Sequence, residues 1–315
     1  MAKISNRRLL RRFRPIVSVI AWFVLAAVTP GCSGRNSSGR DIWKDFSGEK
    51  ALGHVRQLVD FGPRPPGSDA LEKSRVYIEK QLTNSGWTVS RHSFSDDTPK
   101  GKMTFVNLVA RFGKQEAKPG AGQSFLFCSH YDTKLFENIR FVGANDGGSS
   151  TGLLIELARV LAKQPALASK VELVFFDGEE AIEAFSRTDG LYGSRYFADE
   201  LVKTGSAKQF RGGILFDMVG DRFLNITLPP DSPAQLARDI FAAADALKVR
   251  DHFTYFDQNV TDDHSPLNAI GIPTIDLIDF DFPPWHTADD TIDKVSAESL
   301  QIVGQVAVYY LSNSG

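Results

Sequence analysis

Short, continuously apolar runs alternate with longer stretches of helical periodicity through most of this chain, and such runs need a sheet that is buried on both faces. Strands are expected at Val89–Phe94, Asn107–Phe112, Gln123–Cys128, Val171–Phe176, Gly213–Phe216 and Thr274–Ile278. Helical periodicity marks Ala51–Phe61, Ala70–Ser85, Thr151–Lys163, Gly193–Lys203, Pro233–Leu247 and Ser296–Leu311. Gly62-Pro63-Arg64-Pro65-Pro66-Gly67-Ser68 separates the first two helices as a rigid turn, with Ser68 or Asp69 as N-cap of the second. The pattern predicts an α/β fold: a single globular domain over residues 41–315, with a central, mostly parallel mixed β-sheet flanked by helices on both faces.

Open sheets of this kind place ligands beyond the carboxyl ends of their strands. His130, Glu180 and Asp217 sit just past apolar runs, and Asp146 and His286 lie in loops bearing Gly or aromatic residues. Imidazole nitrogen and carboxylate oxygen both bind Zn²⁺, so the five form a candidate metal-ligand set. Each alone has a plainer reading. Asp146 could cap a helix, His130 could be a satisfied core histidine, and Glu179-Glu180 could be two solvated glutamates at a helix start. Adjacent carboxylates repel unless a cation or proton separates them, and a metal site divides their roles, with Glu180 as ligand and Glu179 free to move protons. Asp132, two residues after His130, is placed to accept the second ring N–H of a metal-bound imidazole. Asp217 ends a buried run and needs a metal or hydrogen-bond donors.

The formal net charge of −2 argues against a broad nucleic-acid-binding face. Residues 1–32 read as an export signal, with Arg7, Arg8, Arg11, Arg12 and Arg14 ahead of the apolar stretch from Ile16 to Val28. That stretch is short for a spanning helix, which needs about 20 apolar residues. Thr29-Pro30-Gly31-Cys32 resembles a bacterial lipoprotein cleavage box with Cys32 as the lipidated residue, and residues 33–40 form a flexible tether. The expected location is therefore exported and membrane-anchored through lipid, with simple cleavage or an uncleaved signal anchor as alternatives. Cys128, the only other cysteine, is expected to be a small buried hydrophobe.

From about Asp41 to its end the chain resembles the glutaminyl-peptide cyclotransferases of the zinc-dependent animal type, a branch of the zinc aminopeptidase superfamily. The motifs are Pro66-Gly67-Ser68, His130-Tyr131-Asp132, Phe175-Phe176-Asp177-Gly178-Glu179-Glu180-Ala181, Leu191-Tyr192-Gly193-Ser194-Arg195, Asp262-Asp263-His264 and Trp285-His286-Thr287. The resemblance implies that Asp146, Glu180 and His286 hold one zinc and that Glu179 shuttles the proton. Asp217 and Asp262 join the network around the leaving amide, with Asp132, His264 and Asp276 behind them. Phe185, Phe282 and Trp285 line the substrate pocket, and His130 is left outside a single-metal shell. Two positions depart from the animal pattern: Phe185 stands where those cyclases carry Trp, and Asp276 where they carry His.

The implied reaction converts the N-terminal Gln of a peptide or protein to pyroglutamate with release of ammonia. The alternative is an aminopeptidase with two zincs, His130 and Asp217 completing the second set, and a third reading is a non-catalytic peptide-binding ectodomain.

Overall fold

The apolar runs become the centre of one mixed sheet. The computed structural model describes residues 41–113 and 123–313, so the expected export signal, Cys32 and the tether lie outside the described residues. Its strands are β1 (Trp87–Thr98), β2 (Gly101–Phe112), β3 (Ser124–His130), β4 (Val171–Phe176), β5 (Phe210–Asp217), β6 (Ile226–Leu228), β7 (Phe253–Tyr255) and β8 (Thr274–Ile278). Its helices are α1 (Gly48–Phe61), α2 (Asp69–Asn84), α3 (Gly148–Leu161), α4 (Pro165–Ala168), α5 (Tyr192–Lys203), α6 (Ala234–Ala246), α7 (His264–Ala269) and α8 (Ala297–Asn313). The described residues all fall in one compact unit.

The main sheet runs β1-β2-β4-β3-β5-β8, and β6 pairs with β7 separately. Strands β4, β3, β5 and β8 are mutually parallel, whereas β1 and β2 form an antiparallel hairpin whose second strand pairs antiparallel with β4. The hairpin is longer than its apolar segments suggest. β2 meets β4 only over Leu108–Arg111, so the rest of the ribbon extends past the sheet. Its half-exposed polar residues leave no continuous apolar signal there.

Strand β3 shows why the central runs lack alternation. Phe125 and Phe127 enter the core built with α1, α3 and α8, while Leu126 and Cys128 enter the smaller core with Phe197 and Leu201 of α5 and Leu267 of α7. Both faces are covered, so both side-chain sets are apolar. Cys128 is buried among those residues, as expected. The Ser68 side chain accepts from Leu71 N and caps α2. Among the described residues no helix is long and apolar enough to cross a membrane.

The chain leaves β3 for β4 on one side and then crosses to β5 on the other. That reversal opens a crevice at the carboxyl ends of these three strands.

Candidate metal centre

Each end of that crevice is furnished by the residue that follows an apolar run. His130 closes β3, Glu179 and Glu180 follow β4 across the bend at Asp177-Gly178, and Asp217 closes β5. Asp146 lies in the turn before α3, and His286 in the loop after β8. Neither glutamate starts a helix, since α5 begins only at Tyr192, and both are largely buried. Asp146 does not cap α3: the N-cap position is Gly147, with no side-chain hydrogen bond.

Gly147 has a physical reason to be glycine. Its φ is +70°, and a Cβ there would lie 2.7 Å from Asp132 O and 2.9 Å from His130 Cε1. The Asp146 turn therefore packs its backbone directly against the end of β3.

Asp146 faces two histidines with its two oxygens. Its Oδ1 is 3.2 Å from His130 Nε2 and its Oδ2 is 3.4 Å from His286 Nε2. His286 Nε2 is also 3.1 Å from Glu180 Oε1, and His130 Nε2 is 3.1 Å from Asp217 Oδ1. Two donor trios result, Asp146–Glu180–His286 and His130–Asp146–Asp217, each with its ligand atoms within 4.8 Å of one another. Tetrahedral zinc with bonds of about 2.0–2.2 Å sets ligand atoms roughly 3.3–3.6 Å apart. The donors are of the right chemistry and close to that spacing. Asp146 Oδ2 is buried without a hydrogen-bond partner, which is what a metal-facing oxygen leaves behind.

The charges agree with that reading. Burial would lower the proton affinity of His286, but the Asp146 and Glu180 carboxylates raise its pKa to about 10. Burial and the nearby Asp146 push Glu180 up to about 7, against the pull of His286. Burial also drives Glu179 well above the usual carboxylate range, with Asp262 and Glu180 adding to the rise against His130. For Asp146, burial is outweighed by His130 and His286, and its pKa is depressed.

Other buried groups hold the ligand loops. Asp132 accepts from Glu179 N at 3.2 Å and Glu180 N at 3.3 Å, fixing the two glutamates together. Its Oδ1 stands 3.5 Å from His130 Nδ1, and that nitrogen has no hydrogen-bond partner. The carboxylate expected to orient the imidazole is thus chiefly engaged by the next loop. Asp290 accepts from Asn145 N and Asp146 N, at 2.8 and 3.1 Å. Arg64, fully buried, donates to the carbonyls of Tyr131, Val142 and Gly143 and so clamps the His130 and Asp146 loops.

Sequence reasoning gave no role to Arg64 or Asp290, and it named Asp263 only within the Asp262-Asp263-His264 motif. For Arg64 the one available signal was a charged residue inside the rigid Pro-Arg-Pro turn, and for Asp290 its place four residues after His286. A third cluster unites Asp262, His264 and Asp276, beside the fully buried Asp263.

The three aromatic residues expected in the pocket occupy different settings. Trp285 stacks on His286 with ring centroids 4.2 Å apart and is 41% exposed. Phe185 is 46% exposed beside Gly190. Phe282 is buried in a cluster with Met218, Val260 and Ile278. Phe136 and Phe141, whose ring centroids are each 5.7 Å from that of His286, complete the aromatic surround.

The model of peptidase family M28 matches residues 107–311, a span that contains all five candidate metal ligands. The chain belongs to that family. The glutaminyl-peptide cyclotransferase of Drosophila melanogaster is 30% identical over 281 residues, covering 79% of this chain and 78% of the relative. Within family M28 this chain belongs with these cyclotransferases. The crystal structure of a glutaminyl cyclase from an Acidobacteriales bacterium is 34% identical with a TM-score of 0.76, covering 84% of this chain and 94% of that one. A Zn-dependent exopeptidase from Parabacteroides distasonis is 25% identical with a TM-score of 0.75, covering 85% and 98%. The donor chemistry and the orphaned Asp146 oxygen suit a zinc ion, the metal named for that exopeptidase.

Proposed function

We propose that this protein is a glutaminyl-peptide cyclotransferase acting on peptides with an N-terminal Gln. The observation that carries the reading is a buried, proton-avid Glu179 beside the Asp146–Glu180–His286 trio, in a chain similar to proteins of that name. Those three side chains would hold a single zinc. When bound, zinc supplies Lewis acidity to the γ-carbonyl of the substrate glutamine.

Glu179 takes a proton from the α-amine as that nitrogen attacks the carbonyl carbon (Cδ) of the γ-carboxamide. A new N–Cδ bond closes the five-membered ring, the original Cδ–Nε2 amide bond breaks, and Glu179 gives its proton to the departing nitrogen, which leaves as ammonia. Ring closure is intramolecular, so orientation is the protein's main contribution. Asp217 and Asp262 surround the leaving amide, with Asp132, His264 and Asp276 behind them. Trp285 and Phe185, both exposed, and the buried Phe282 would supply the aromatic walls of the substrate pocket.

Mass analysis of Gln-peptides and Leu-peptides after incubation tests the reaction. Loss of ammonia from the Gln-peptide alone is expected. Release of a free N-terminal residue would instead assign an aminopeptidase that uses His130 and Asp217 for a second zinc.

The reading extends to location: residues 1–32 direct export, and Cys32 carries a lipid that holds residues 41–315 at a membrane by the 33–40 tether. Its support is the basic start, the short apolar stretch and the cleavage-box pattern. Cys32→Ser is expected to move the protein from the membrane fraction to the soluble exported fraction, and an unchanged fraction would favour an uncleaved anchor.

A further inference from the structure

Asp276 lies in the middle of β8 with its neighbours Ile275 and Leu277 directed into the larger core. Its own side chain is turned the other way, is 1% exposed, and neither oxygen has a hydrogen-bond partner. An ionised carboxylate in such a setting is costly unless a cation or proton reaches it.

His264, the first residue of α7, supplies the second observation. Its Nε2 lies 3.2 Å from Asp231 Oδ2, and a carboxylate there fixes the ring proton on Nε2. Nδ1 is then a bare lone pair. It is buried, lacks a hydrogen-bond partner, and stands 3.5 Å from Asp276 Oδ2. Two acceptors aimed at each other across that distance repel. Asp262 Oδ2, also buried and without a partner, completes the group, and the three residues bring one ligand atom each within 4.8 Å of the others.

We propose that Asp262, His264 and Asp276 form a second cation site, separate from the Asp146–Glu180–His286 centre, that takes a divalent ion of the zinc class. The separation of 3.5 Å between Nδ1 and Oδ2 matches the ligand spacing of a tetrahedral zinc, roughly 3.3–3.6 Å. The half-exposed Asp231 behind the imidazole repeats the carboxylate–histidine–metal arrangement by which proteins orient a ligand. A single proton can relieve one facing pair of acceptors, whereas a dication satisfies all three donors at once. One imidazole with two carboxylates suits zinc better than calcium or magnesium, which prefer oxygen ligands alone. The surrounding field has the same sign: Asp217 and Asp263 face Asp262 and Asp276 as further carboxylates. The site shares Asp262 with the proposed reaction, and its test reads bound zinc, not turnover.

The test is zinc-edge anomalous diffraction from crystals of the purified protein, loaded with zinc and then dialysed against metal-free buffer. A peak within bonding distance of His264 Nδ1, Asp262 and Asp276 is expected. Elemental analysis gives the solution counterpart: Asp276→Asn and His264→Gln should each lose about one zinc per chain, whereas His130→Asn should leave the peak in place. No peak among these three residues in the parent crystal would overturn the proposal without any variant having to fold, as would a peak that disappears on dialysis. Parent-like zinc content in both variants would overturn it as well.

Discussion

The indole of Trp285 stacks on the imidazole of His286 at 4.2 Å, with the two planes inclined by 24°. His286 needs such support. Its φ of +53° is uncommon for a residue with a side chain and persists only where neighbours over-determine it. Trp285→Ala is expected to weaken zinc binding by about tenfold, the lower end for loss of a ligand's support. Trp285→Phe should recover most of it. Chelator competition on both variants is the measurement, and parent-like affinity in Trp285→Ala would mean the stack serves only the substrate.

The two adjacent glutamates should separate by readout. Glu179→Gln keeps shape but cannot move a proton, so zinc is retained and turnover falls by about 10²–10⁴-fold. Glu180→Gln should lose zinc first and activity as a consequence. Metal content beside single-turnover rates distinguishes them, and equal loss of metal in both would refute the division of roles.

Zinc should stabilise the protein more as pH rises. In the metal-free chain the folded state raises Glu180 from 4.5 to about 7 and His286 from 6.5 to about 10. Folding therefore takes up protons that the unfolded chain has released, and stability falls as pH climbs through these windows. Glu180 contributes the loss from about pH 4.5 to 7, and His286 the loss from about 6.5 to 10. Zinc takes the place of both protons. Calorimetry at about pH 5.5 and about pH 8, with zinc and with chelator, should show the larger zinc-dependent rise in Tm at the higher pH. A pH-independent rise would mean these groups are not the ligands.

Gly147→Ala tests the close approach of the Asp146 turn to β3. The added methyl meets Asp132 O and His130 Cε1 at a φ that alanine disfavours. Destabilisation of about 1–3 kcal/mol is expected by denaturant titration, together with weaker zinc binding. Unchanged stability would show that the turn can move without disturbing the donors.

Much of the fold was legible because burial writes itself into composition. Phe125–Cys128, Leu173–Phe176 and Ile214–Phe216 are apolar on both faces, and that required a covered sheet with its ligands at the strand ends. Where burial stops, so does the signal. The outer half of the β1–β2 ribbon is polar and half-exposed, and its pairing partner is the other strand of the same hairpin.

The candidate donors were legible for a different reason: imidazole and carboxylate at the ends of buried runs are expensive unless used. Their identity and their order can be read directly along the chain. Folding alone brings Asp146 between His130 and His286, sets Asp132 against the backbone of Glu179 and Glu180, and joins Asp276 to His264 in a buried cluster. Arg64, clamping three carbonyls from two loops, carried no local signal of that task. Periodicity reports how a residue relates to its own strand or helix. Contacts between loops distant in the chain depend on the order and crossing of the strands, which no local pattern encodes.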